Sequence, residues 1–125
     1  MHSEYAPHPD GRPDPGEIVW AWVPYEDDPA QGKDRPVLVI DTDGDELLAL
    51  QLTSKDHDRD AAQEARAGRL WMDVGTGEWD RLRRPSEVRL NRVLTLDVGA
   101  VRREGGALPR DVFDAVMAAA APHLR

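Results

Sequence analysis

Arg35 and the hydroxyl pair Thr53-Ser54 stand at the outer ends of two apolar runs, DRPVLVI and ELLALQLTS, joined by DTDGD. Asp43-Gly44 between such runs is a hairpin signal, because a two-residue type I′ turn needs positive φ at both central positions. Counted out from that turn, opposing residues sum to about 87, so Arg35 falls across from Leu52 and next to Thr53. A permanently charged bidentate fork and two hydroxyls at one end of a hairpin suit a strongly negative, five-coordinate phosphorus. Cleaving RNA without a metal asks for little more. The substrate supplies its own nucleophile, the 2′-OH. The protein must take that proton, stabilise the phosphorane and protonate the leaving 5′ oxygen. His57, in the following run KDHDRD, is the one histidine away from the chain ends. It is of a type that moves protons near neutral pH.

Each of these residues also has a plainer role open to it. Arg35 can be a surface arginine, Thr53 or Ser54 a helix cap, and His57 a solvated loop residue. Other chemistries lack their parts. With no cysteine, disulfides, thiolate metal sites and a thiol nucleophile are excluded. No G-x-S-x-G supports Ser54 with His57 as a hydrolase pair. Asp56, His57, Asp58 and Asp60 are rich in ligand atoms but crowded along the chain, without H-x-x-x-H or H-E-x-x-H spacing. DTDGDE fails as a calcium loop, since its glycine comes too early and no glutamate closes it. Walker and dinucleotide motifs are absent, and no metal or cofactor is expected.

The elements that must position these residues read mostly as strands. GEIVWAWVPY alternates, with Ile18, Trp20 and Trp22 on one face, and Pro24 ends it. EDDPAQGKD is a loop of about ten residues, longer than an ordinary hairpin connection. PVLVI, from Pro36 to Ile40, is apolar enough to be buried on both faces. DAAQEARAG predicts a short helix stopped by Gly68, RLWMDV another strand and GTGEWD a turn. SEVRLNRVLTL predicts one long or two short strands, with Ser86, Val88 and Leu90 facing one way and Glu87, Arg89, Asn91 and Val93 the other. Gly105-Gly106 is expected to break the chain before an amphipathic helix, PRDVFDAVMAAAAPHL. The sum is a small, mainly β (α+β) SH3-like barrel with a C-terminal helix, occupying residues 16–125. Residues 1–15, with four prolines, read as a loose arm.

Charge is uneven. Residues 1–60 carry 5 Lys/Arg against 15 Asp/Glu, and residues 61–125 carry 11 against 9. A net −8 argues against nucleic-acid binding by the whole surface, but the later arginines leave room for a local basic face. No apolar run approaches the roughly 20 residues of a membrane span, and the N-terminus has no signal-peptide pattern. A cytoplasmic, membrane-free protein is expected.

GEIVW at 16–20, a polar loop, KDRPVLVI at 33–40 and LQLTS at 50–54 resemble the MazF/PemK family of toxins. So do the long strand SEVRLNRVLTL, the Gly-Gly pair and the terminal helix. The resemblance spans roughly residues 15–121. It implies an SH3-like barrel, a homodimer, metal-independent cleavage of single-stranded RNA, and silencing by a cognate antitoxin that covers the RNA groove. It further implies that Arg35 is the catalytic arginine and Thr53, beside Ser54, the catalytic hydroxyl. Residues 24–34 correspond to the loop that shapes the groove. Arg89 corresponds to an arginine on the later strand. His57 is the candidate acid or base, and Lys33, Lys55 and Arg89 are candidate RNA contacts. Two positions differ from the family pattern: Gln51 replaces a common proline, and the later strand carries Asn91 or Arg92 where an aspartate is found. The competing class is a barrel without catalysis that binds a peptide or RNA. The enzyme would yield to that module if pure protein failed to cleave.

Overall fold

A computed structural model describes residues 13–54, 66 and 68–124, with backbone alone at 103 and 104. Its strands are β1 (Glu17–Pro24), β2 (Gly32–Asp43), β3 (Glu46–Thr53), β4 (Trp71–Gly75), β5 (Ser86–Asp97) and β6 (Val101–Ala107), followed by α1 (Arg110–Ala120). They form one antiparallel sheet in the order β4-β5-β3-β2-β1-β6. Among the described residues no ladder joins β4 to β6, so the sheet is mainly β and strongly packed but not a closed barrel.

Alternate residues of the central strands enter two separate cores. Ile18, Leu38, Leu50 and Leu52 pack with Phe113 and Val116 of α1. Val19, Val37, Val39 and Ala49, on the opposite face, pack with Leu47 and Leu94. One helix covers only one face. The second is buried because the sheet curls over it, as twisted sheets do. Both faces of β1 are therefore buried, Ile18 on one and Val19, Ala21 and Val23 on the other, while Trp22 is 43% exposed.

The β2–β3 turn also differs from expectation. Asp43 pairs with Glu46, so its central residues are Gly44-Asp45. Gly44 has φ +61°, and Asp45 is not in the positive-φ region, which is the II′ pattern rather than I′. A bulge at Ile40 then recovers half of the two-residue offset, and Val37 faces Gln51. The ladder ends at that pair, and Arg35 and Thr53, each two residues further out, line one groove. Arg35 lies inside β2, paired with Ala21, rather than at a strand mouth. The β1–β2 loop is therefore short, Tyr25 to Gln31.

β5 is one strand with a large irregularity. Leu50 pairs with Val93 and Leu52 with Val88, so residues 89–92 all stand against Gln51 alone. That outward fold of β5 delivers Arg89 and Arg92 to the same end of the sheet as Arg35. Gly105-Gly106 does not break the chain. Both lie in β6, where a Cβ on Gly105 would meet Trp79 Cβ at 2.9 Å. Of the helix expected over 60–68, Arg66 is helical and Gly68 has φ +79°; the rest lies outside the described residues.

Candidate active site

Two grooves meet at Arg35. One, of about 600 Å³, holds Lys33, Arg35, Thr53 and Ser54, with Trp20, Trp79 and Arg84 in its wall. The other, of about 430 Å³, holds Arg35, Arg69, Arg89 and Arg92 with Tyr25, Glu26, Gln51 and Trp71. Arg35 is half-buried at their junction. Burial lowers its affinity for the proton, Tyr25 opposes that and nearby Arg92 adds to it. A guanidinium so placed stays charged at neutral pH and gains from any anion that enters. The hairpin thus brings together Arg35, Thr53, Ser54 and Lys33. Lys55 and His57 lie outside the described residues.

Arg89 is not an open cation. Its Nη1 and Nη2 each donate to a Glu26 oxygen at 3.1 Å, and its Nε donates to Asn91 Oδ1 at 2.6 Å. Its side chain is only 6% exposed and its Cζ sits 5.9 Å from the Trp71 ring centroid. Asn91 also accepts from Leu70 N–H and donates to Gly68 O, which clamps the end of the 55–70 segment onto β5. Arg92 donates to Pro24 O at 2.7 Å and to Gln51 Oε1 at 3.3 Å. Gln51 thereby serves as an acceptor that a proline could not supply. Trp71 was not legible as a site residue, and Glu26 and Arg92 were legible only as part of the 24–34 loop and as a departure from the family's aspartate, because their partners are remote in sequence. The one available signal was the cluster of aromatic and charged residues flanking the strands.

The other groove is framed by Asp80. Its Oδ1 accepts from Leu82 N–H at 2.9 Å and its Oδ2 from Arg84 Nε at 2.8 Å. These bonds shape the loop in which Arg83 adopts φ +50°. Burial pushes the Asp80 carboxyl up, but Arg84 and the Leu82 N–H outweigh it and hold it below the usual carboxylate range. A depressed folded-state value means stability that is present above the unfolded titration and lost as pH falls through the folded one. Asp80→Asn should therefore cost about 1–2 kcal/mol at pH 7, and in urea melts the difference from wild type should shrink steadily as pH falls below the ordinary carboxylate range. A difference that stays constant as pH falls would show that the carboxylate charge is not what holds the loop.

Among the described residues no group of three His, Asp or Glu side chains could hold a metal ion, and no helix is long and apolar enough to cross a membrane.

A curled antiparallel sheet backed by one terminal helix, with an arginine-lined groove across its strand ends, defines a small β protein of a recognisable class. MazF (Form-I) from Deinococcus radiodurans superposes with TM-score 0.63 at 20% identity, covering 89% of this chain and 94% of that one. The MazE-MazF (Form-II) structure from the same organism gives 0.60 at 21%, covering 88% and 93%. An endoribonuclease in complex with its cognate antitoxin from a Mycobacterial species gives 0.61 at 14%, covering 88% and 92%. These likenesses establish the fold. No curated protein matches the chain. The chain belongs to the family of PemK-like, MazF-like toxins of type II toxin–antitoxin systems, whose family model matches residues 14–124.

Proposed function

We propose that this toxin is a metal-independent endoribonuclease of single-stranded RNA, active in the cytoplasm as a homodimer and neutralised by a cognate antitoxin. The observation that carries this reading is the half-buried Arg35 at the junction of two grooves, one of which it lines together with Thr53 and Ser54. Support also comes from the family and from solved relatives described as an endoribonuclease with its antitoxin. In the reaction the 2′-oxygen attacks phosphorus and gives up its proton to a base. The P–O5′ bond breaks, and the 5′ oxygen takes a proton from an acid. Arg35 binds the phosphorane oxygens through its fork. Thr53 and Ser54 donate to the scissile phosphate, and Lys33 and Arg89 bind flanking phosphates. Lys55 is a further candidate contact and His57 the candidate proton carrier. The exposed Trp22 and Leu82 supply apolar surface for a protein partner.

The purified protein should cleave mixed single-stranded RNA in EDTA and leave 2′,3′-cyclic phosphate and 5′-hydroxyl ends. Thr53→Ala should slow cleavage about tenfold, the scale of one lost hydrogen bond to a charged group. His57→Ala reports whether the histidine carries a proton. RNA that binds without being cut, with the fold intact, would replace the enzyme by a binding module.

A further inference from the structure

We propose that Arg89 is an anion subsite occupied in the free toxin by the Glu26 carboxylate, which an RNA phosphodiester displaces on binding. This rests on the RNA reading above and adds how the groove is kept closed before substrate arrives. A carboxylate and a phosphodiester offer an arginine fork the same pair of oxygens. Glu26 fills that fork from both Nη atoms at 3.1 Å each, inside the groove that Arg35 borders.

The two partners are unequally held. Arg89 is fixed: 6% exposed, bonded to Asn91 at 2.6 Å and stacked over Trp71. Glu26 is half exposed and sits early in the β1–β2 loop. That loop is closed by its own bonds, Tyr25 N–H to Gln31 O at 2.8 Å and Gln31 N–H to Asp28 O at 3.0 Å. It does not need the Glu26 side chain to keep its shape. The carboxylate can therefore swing into solvent while the guanidinium stays in place, so the exchange costs one partly exposed ion pair rather than a rearrangement of the sheet. The Glu26 carboxyl is held below its usual range, first by its hydrogen bond to Arg89, so the plug is fully charged at neutral pH.

The test measures affinity for a single-stranded 2′-O-methyl oligonucleotide, which cannot be cleaved, by fluorescence anisotropy. Glu26→Gln removes the competing charge and keeps the shape. Asp27→Asn removes a charge from the same groove without touching the fork, and so reports the general electrostatic gain. Glu26→Gln is expected to bind about fivefold more tightly than wild type, with Asp27→Asn within about twofold. Equal gains in the two variants would overturn the displacement. So would weaker binding by Glu26→Gln, which would make Glu26 a positioning residue for RNA. Failure of all three proteins to bind at any salt would overturn the RNA reading itself, and this inference with it.

Discussion

Replacing Arg35 by alanine is expected to lower RNA cleavage by about 10²–10³-fold while leaving the fold intact, the loss seen when a single donor to a developing oxyanion is removed. The two halves of that statement have separate grounds. The fold should survive because Arg35 belongs to neither apolar core. Its place in β2 is held by backbone pairing with Ala21, which alanine can also make. The rate should fall because the charge on the phosphorane is greater than on the ground-state phosphodiester, so the guanidinium binds the transition state more tightly than the substrate. Arg35→Lys separates charge from geometry. A lysine keeps the charge but offers no planar fork, so it should recover only part of the loss. Single-turnover cleavage of one oligonucleotide, with circular dichroism on the same samples, checks both halves. A drop of less than tenfold in a folded Arg35→Ala protein would remove Arg35 from the chemistry.

The hairpin that carries this residue was legible because its signals are local. Two apolar runs, a turn dipeptide and a count along the chain bring Arg35 near Thr53 without any knowledge of the rest. The count was off by a single residue, since the turn centres on Gly44-Asp45 and β2 then bulges at Ile40. Neither shift leaves a mark in residue types. The remaining parts of the grooves were hidden for a different reason. Glu26 and Arg89 are 63 residues apart, and what joins them is the outward fold of β5 across from Gln51. Alternation predicts which face a strand residue takes, but an irregularity of that size resets the alternation. Alternation likewise puts Ile18 and Trp22 on one face of β1. It does not tell that Ile18 is buried, as are Val19, Ala21 and Val23 on the other face, while Trp22 stays 43% exposed.

Trp79 lies in the turn that GTGEWD predicts, yet its side chain belongs to the core. Its indole is 3% exposed, and its Nε1 donates to Ser86 Oγ at 3.0 Å. Its carbonyl accepts from Trp20 Nε1 at 3.0 Å, so the residue ties the wall of the Thr53 groove to the core under α1. Two glycines make room for it. A Cβ on Gly77 would lie on the ring itself, 2.6 Å from Cη2, and one on Gly105 would meet its Cβ. Trp79→Ala should cost about 3–5 kcal/mol, the range for emptying a buried aromatic site, and lower the melting temperature by on the order of 15 °C. Gly77→Ala should cost about 1–3 kcal/mol by overpacking, because the methyl group has no space beside the indole. The two effects share one cause, so they should not add. In the Trp79→Ala background the Gly77 methyl enters vacated volume, and its cost should fall to near zero. Urea melts of the four proteins give the coupling directly. If Gly77→Ala is equally harmful with and without the indole, the glycine serves its own backbone, and the account of Trp79 as the residue that dictates both glycines is wrong.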